Sequence, residues 1–254
     1  MAIGKYISIF GTHYKTLFMK NIFLLTLTIL LCFGCKDTKS SQENDGQLVA
    51  ASDTTDCVDT VAFGDTTFCL PKIEGMTQGY DDPIIKAKAN EFDDPQNTIL
   101  AYYVPTAIYK QRDSLAFITY DNYYKVYTSN MAKNYEMKPA EVQEVMRGMT
   151  GGMMNSTVAE VNEDFKNSNK PLEIGQPTLV EKYEGYNNSS TAIVLMGLTT
   201  DTVDKVMAIA MNVLLVKDRL VFMAHYLDYN GQASIEQLKE NNSNFLKEFY
   251  KVNS

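Results

Sequence analysis

The chain has 254 residues, of which 45% are apolar and 21% charged, a composition that excludes wholesale disorder and a repeat fibre. The first 34 residues contain three Lys and no acidic residue, so the remainder carries 20 Lys+Arg against 31 Asp+Glu, a formal charge of −11. Because so acidic a surface repels phosphate groups, we expect no nucleic-acid partner.

The chain starts with a segment typical of an export signal. Met19 and Lys20 precede an apolar run over residues 22–34, which gives a charged start followed by an apolar centre. This run is too short to span ~30 Å of hydrocarbon, which needs roughly 20 residues. We therefore expect residues 1–34 to be a signal peptide, within which residues 1–18 are a start-site extension.

The signal ends in Leu31-Cys32-Phe33-Gly34-Cys35, which resembles the lipobox of bacterial lipoproteins. The resemblance implies that Cys35 is lipidated, with palmitate among its acyl chains, and becomes the new N-terminus of an envelope protein, in the outer membrane. An ordinary secretory signal is the alternative. The polar residues that follow favour a flexible tether over residues 35–55. A single folded domain is expected over residues 56–254.

Cys57 and Cys69 are the cysteines of the expected folded domain. Residues 60–67 have the pattern of a hairpin, and a three-residue loop centred on Phe63 places the two cysteines opposite each other. An exported protein meets oxidising conditions, so we predict a disulfide. A redox or metal pair is the alternative, but eleven intervening residues do not make the C-x-x-C spacing.

The middle of the chain mixes helix and strand signals. Asp82 is typical of an N-cap because Pro83 follows it at the first helical position, and Gly151-Gly152 should end a helix. A cap at Ser156 or Thr157 is expected to start the next helix. The predicted elements are a helix over 83–91, a strand over 98–104, a strand between 115 and 127, and a helix over 138–149.

After Pro177 the pattern changes to strands. Four strands are predicted, over 178–186, 191–198, 205–216 and 219–227, and they should form an antiparallel meander. Because residues 206–216 are almost continuously apolar, we expect a central strand covered on both faces. A last helix over 232–251 is predicted to start with a capping box of Ser234 and Gln237. Its apolar face consists of Ile235, Leu238, Phe245, Leu246 and Phe249. These elements predict one α+β domain in which helices cover an antiparallel sheet.

The run Phe68-Cys69-Leu70-Pro71, followed by the late meander and a closing helix, is similar to PsbP-like domains. That resemblance implies an α/β/α sandwich and a role as an adaptor or stabiliser of assemblies. The chain departs from the family where Gly75 is followed by Met76 instead of Trp. The whole pattern also resembles uncharacterised bacterial envelope lipoproteins.

Few residues of the expected domain suit catalysis. His225 is its sole histidine and lies in a predicted strand on the same face as Val221, Met223 and Leu227. We therefore interpret His225 as a core residue, since a general base needs a cleft and an orienting group. The common hydrolase, P-loop and dinucleotide motifs are absent from the sequence. We expect no catalytic residue, cofactor or metal site.

Three other groups could carry chemistry. Two Asp-Asp-Pro repeats, at residues 81–83 and 93–95, favour helix capping over calcium, whose loops alternate their ligands. The methionines Met146, Met149, Met153 and Met154 suit core packing, with Cu(I) or a partner groove as alternatives. Seven tyrosines could stack on sugars or a peptide, or could be half-buried strand residues. They are Tyr102, Tyr103, Tyr109, Tyr120, Tyr123, Tyr124 and Tyr127.

Three functions are compatible with these features. The leading hypothesis is a lipid-anchored, non-catalytic binding or scaffold module whose partners are the membrane and an envelope protein or exposed ligand. A small-ligand or metal carrier is the second. A carboxylate-dependent hydrolase is the third, because the defining separation of two catalytic carboxylates is spatial and leaves no sequence motif.

Overall fold

The computed structural model describes residues 57–90, 96–114, 121–167, 172–187, 189–200 and 204–254. Cys35 and the expected signal and tether lie outside these residues. Among the helices of the described segments, none has both the length and the apolar character needed to cross a bilayer.

The described chain forms ten strands, five helices and a short 3₁₀ turn. The strands are β1 (Cys57–Phe63), β2 (Thr66–Pro71), β3 (Met76–Gln78), β4 (Asn97–Pro105), β5 (Asn122–Ser129), β6 (Leu172–Ile174), β7 (Thr178–Glu184), β8 (Ser190–Thr200), β9 (Asp204–Val216) and β10 (Arg219–Asp228). The helices are α1 (Pro83–Asn90), α2 (Thr106–Gln111), α3 (Pro139–Thr150), α4 (Gly152–Asn167) and α5 (Gln232–Asn253), and the 3₁₀ turn is Asn130–Ala132.

Eight of the strands form one antiparallel sheet in the order β3-β4-β5-β10-β9-β8-β6, and β7 pairs with β8 beside β6. The late meander β7-β8-β9-β10 is formed as predicted. Lys217 and Asp218, with φ of 49° and 58°, make the tight turn between β9 and β10. Positive φ at both central residues is what a type I′ hairpin turn requires.

Both faces of this sheet are covered. On one face, here called the α3 face, Val194, Ile209 and Phe222 pack with Val145 and Met146 of α3. On the other face, here called the α5 face, the hairpin β1-β2 and the helix α5 cover the strands. The domain is therefore α+β with helices on either side of an antiparallel sheet, as predicted.

The helix α5 packs through the apolar face predicted for it. Phe245 and Phe249 are buried, and Phe245 lies edge-on to Tyr103 at 5.3 Å and stacked on Tyr124 at 4.8 Å between ring centroids. Burial of a Phe side chain contributes about 2–3 kcal/mol. The same helix meets Ile193 and Ala208 further along the sheet through Leu238.

The hairpin β1-β2 exists, but the predicted register was wrong. A two-residue turn of Gly64 and Asp65 replaces the three-residue loop, so Phe63 pairs with Thr66. Gly64 has φ of 65°, and a Cβ atom there would lie 2.5 Å from the carbonyl oxygen of Lys133. Packing against that backbone is what selects glycine at the turn.

The disulfide forms despite this shift. Cys57 pairs with Pro71 and Cys69 with Thr60, because a bulge lies between Cys57 and Asp59. The two cysteines are thus diagonal neighbours, with Cα atoms 5.6 Å apart, and are joined. This separation is within the usual range for a disulfide.

Two predicted helix caps were wrong, although the last helix starts at Gln232 as predicted. The helix α4 begins at Gly152, directly after Gly151, so Ser156 and Thr157 lie inside it and do not cap it. The helix α5 starts after Gly231, and the Ser234 hydroxyl accepts a hydrogen bond from the Asn230 N–H at 2.9 Å.

Candidate functional site

His225 lies inside the α5 face and is fully buried. Its ring stacks on Tyr124 with centroids 4.0 Å apart, and its Nε2 is 2.8 Å from the side-chain oxygen of Asn122. Val221, Met223 and Leu227 share its face, as the strand alternation predicted. A histidine packed in this way has no access to a substrate, so the prediction of a core histidine fits its position.

Burial also sets the protonation of His225. Removal from water lowers the pKa of His225 to about 3, and the Leu238 backbone opposes only part of this effect. The imidazole is therefore neutral at physiological pH. A buried neutral ring that hydrogen-bonds the half-buried amide of Asn122 stabilises the domain, but it is not placed to exchange protons with a bound molecule.

The cysteines likewise have a structural setting. The backbone N–H of Cys69 donates to the Asn253 side-chain oxygen at 2.8 Å, and the Asn253 amide donates back to the Cys69 carbonyl at 2.8 Å. The end of α5 thus satisfies the outer edge of β2 in the manner of a neighbouring strand. The disulfide joins β1 to β2. The two hydrogen bonds with Asn253, here called the amide clamp, fix the hairpin to the end of α5.

The methionines of α3 are core residues. Met146 and Met149 are buried on the α3 face among Val142, Val145 and the sheet. This agrees with the packing interpretation for these two residues. The side chains of Met153 and Met154 lie outside the described part of the structure.

The tyrosines divide between the two faces of the sheet. Tyr102, Tyr123 and Tyr226 stack across three neighbouring strands on the α3 face, with successive centroid separations of 5.4 and 4.3 Å. Tyr103 and Tyr124 lie on the α5 face. Tyr109 packs partly buried beside the α3 face, and Tyr120 lies outside the described residues. The described members of this group are packing residues of the sheet, not an open aromatic platform.

Lys125 is a buried cation that the sequence analysis missed. It occupies the centre of β5 with only 1% exposure, and its ammonium lies 4.6 Å above the centre of the Tyr127 ring. The aromatic face attracts a desolvated cation. The sequence feature that could have indicated this burial is the position of Lys125 between Tyr123 and Tyr127, in a strand that is apolar on both faces.

A buried polar network holds α5 against the sheet. Asn212 is a polar residue within the buried stretch of β9, and its amide donates to Asn242 of α5 at 2.8 Å. Asn242 donates back to Asn212 at 3.0 Å, and the Thr191 hydroxyl donates to Asn212 at 2.8 Å. This network aligns α5 over the sheet, because any other register would leave buried amides unpaired.

The two carboxylates of the first Asp-Asp-Pro repeat have different roles. Asp82 accepts hydrogen bonds from the backbone N–H groups of Ile84 and Ile85 at 3.0 and 3.3 Å, which confirms the predicted cap of α1. It also pairs closely with Arg112. The second repeat, Asp93-Asp94-Pro95, lies outside the described residues.

Asp81 has a partner that the sequence did not reveal. A hydrogen bond with the Asp59 side chain raises the pKa of Asp81, and partial burial and the charge of Asp59 act in the same direction. Asp59 belongs to β1, so the pair joins the hairpin to the start of α1. Within the described residues, no group of three or more potential ligands among His, Cys, Asp and Glu is placed to hold a metal ion.

The strand β7 forms an open edge of the sheet. In the described segments β8 is the strand that pairs with it, and most of its side chains are exposed. Val180 and Tyr186, near the two ends of this edge, are 46% and 52% exposed. Unpaired N–H and C=O groups along such an edge can accept another strand.

Comparison with known proteins adds little beyond these observations. The chain matches no protein-family model and no curated protein. A solved structure of the Ran-binding protein Mog1p from Saccharomyces cerevisiae has a TM-score of 0.33 and 11% identity, and covers 73% of this chain and 87% of that one. A structure of a Mog1 point mutant gives the same score and identity, with 76% and 94% covered. Likeness at this level transfers no binding property to this chain.

The buried histidine makes stability depend on pH in a defined window. Since the folded pKa of His225 is depressed to about 3, its stabilising contribution is complete above the unfolded value of about 6.5 and is lost as pH falls below it. Between pH 7 and pH 5 we expect the unfolding free energy to decrease by about 2 kcal/mol from this group. Urea titrations at the two pH values measure the decrease.

The matched variant is His225→Phe, which retains an aromatic ring over Tyr124 but cannot titrate. The absolute stability of this variant does not matter for the test. Between pH 7 and pH 5 its unfolding free energy should decrease by about 2 kcal/mol less than that of the parent. Equal pH dependence in the two proteins would show that His225 is not buried as a neutral ring.

Proposed function

We propose that this protein is a lipid-anchored, non-catalytic binding or scaffold module of the bacterial cell envelope. Its expected partners are the membrane, through lipid on Cys35, and an envelope protein or exposed ligand, through the folded domain. The proposal rests chiefly on one observation. His225 and the pair Cys57 and Cys69, the residues best suited to general-base or nucleophilic chemistry, are occupied in holding the domain together.

The N-terminal sequence supports the anchor. Each buried CH₂ group of an acyl chain contributes about 0.8 kcal/mol, and two or more chains hold a protein durably on a bilayer. Cys35 follows the apolar signal, and 21 residues separate it from Cys57 at the start of β1. A chain of that length spans at most about 70 Å, enough to place the domain well clear of lipid headgroups.

The disulfide supports an oxidising compartment. Cys57 and Cys69 are joined at the base of the hairpin, and such bonds persist mainly in exported proteins. The compartment expected from the signal and the state of these cysteines are therefore consistent with each other.

A carboxylate enzyme is the second candidate, favoured by the pairing of Asp59 and Asp81. The Asp81 carboxyl can provide a general acid, because its hydrogen bond with the neighbouring Asp59 raises the pKa of Asp81 and keeps it protonated to higher pH. The pair is exposed at the joint between β1 and α1. It is thus accessible to a substrate, unlike His225.

The anchor is tested by mass analysis of the N-terminus of the protein purified from bacterial membranes. We expect Cys35 to carry diacylglycerol, and Cys35→Ser to release the protein from the membrane or block its processing. Thr38→Ser is the control, since it changes a residue beyond the lipobox-like motif and should leave the anchor intact. A freely soluble parent with an unmodified N-terminus elsewhere would end the lipoprotein proposal.

Catalysis is tested by screening the full chain against glycan, phosphoester and peptide substrates. The proposal predicts no turnover that depends on the carboxyl pair. If turnover is found, Asp81→Asn and Asp59→Asn should be compared with Asp113→Asn, which removes an exposed carboxylate outside the pair. Activity lost in the first two variants and kept in the third would establish the enzyme alternative.

A further inference from the structure

We propose that the exposed edge of β7 binds the same edge of a second copy of this chain, in antiparallel register with the two-fold axis at Tyr183. This inference does not depend on the proposed function. It rests on the backbone direction, exposure and charge pattern of β7.

Backbone direction decides which residues can pair outward. The N–H of Gly185 donates to the carbonyl of Ser189, on the side of β8, at 2.8 Å. Backbone groups alternate along a strand, so those of Tyr183 also point towards β8, whereas those of Lys182 and Glu184 point away from it. The free edge therefore offers its hydrogen bonds at Lys182 and Glu184.

The charge pattern then selects a partner. An antiparallel copy centred on Tyr183 places Lys182 directly opposite the Glu184 of the second copy, and Glu184 opposite its Lys182. Both side chains are exposed, so two symmetric ion pairs form across four backbone hydrogen bonds. Opposite charges facing across paired strands are favourable, and like charges are unfavourable.

The features of β7 that discourage other strands do not oppose this pairing. A lysine and a bulge are devices that protect an edge from arbitrary strand addition, and β7 has both, with the bulge between Leu179 and Glu181. The segment from Lys182 to Glu184 lies on the regular side of that bulge. An uncharged strand would leave both charges without a partner, whereas a second copy pairs each of them, so the edge is selective for itself.

The pairing is tested first by its register. Equal amounts of ¹⁴N- and ¹⁵N-labelled full chain, mixed on lipid vesicles, are treated with a carbodiimide, which joins a lysine amine to a carboxylate in direct contact. We expect a mixed-isotope cross-link between Lys182 and Glu184. Recovery of this link only within single copies would contradict the register.

Charge reversal tests the recognition without disturbing the core, since both side chains are exposed. K182E and E184K each create two like-charge pairs across the axis and should weaken self-association about tenfold or more. The double variant K182E/E184K restores two opposite pairs and should return the dissociation constant to within about threefold of the parent. Sedimentation of the full chain in detergent measures the four proteins.

Two results would overturn the proposal. One is a parent chain that remains monomeric up to about 1 mM. Capture of a different protein by β7, without self-association, counts as the same result. The other is a dimer whose dissociation constant is the same in the parent and in both single variants, which would place the interface elsewhere.

Discussion

The stability of the domain depends on excluding water from both faces of a long apolar strand. β9 runs from Asp204 to Val216 at the centre of the sheet, and nearly all its side chains beyond Val206 are buried. A sheet whose central strand is apolar on both sides must be covered twice, and here α3 covers one face and α5 the other. The helix α5 is therefore part of the core, and the clamp from Asn253 to Cys69 extends its hold to the hairpin.

Polar residues inside this core give it a unique arrangement. Apolar packing alone tolerates sliding of a helix along a sheet, since the contacts of Phe245 and Leu246 are non-directional. The mutual bonds between Asn212 and Asn242 have one geometry. If α5 shifted, these two buried amides would lose their partners, which costs free energy. Within the sheet, His225 of β10 makes a further directional contact with Asn122 of β5.

The sequence predicted what depends on local pattern. The late strands and the apolar face of α5 follow from periodicities of two and 3.6 residues, which survive in the fold. Asp82 with Pro83 predicted the start of α1 because capping involves neighbouring residues only. The short strands β3 and β6 and the helix α2 were missed, since three to six residues hold too little pattern to distinguish them from loops.

The features that could not be predicted from the sequence depend on contacts between segments that are distant along the chain. The register of the hairpin is set partly by the approach of Gly64 to Lys133, about seventy residues away. Asp59 and Asp81 meet only because the hairpin packs beside α1. The Asn212–Asn242 pair is buried where α5 packs on the sheet. No local spacing indicates any of these contacts.

The most direct test of this account is amide hydrogen exchange of the native protein, measured for β9 and α5. If α5 is part of the core, the amides around Asn242 and Phe245 exchange only through global unfolding, with the same opening free energy as those of Ile209 to Val213 in β9. If the amides of α5 exchange at a clearly lower free energy while β9 remains protected, the helix opens independently. That result would contradict a sheet that must be covered on both faces.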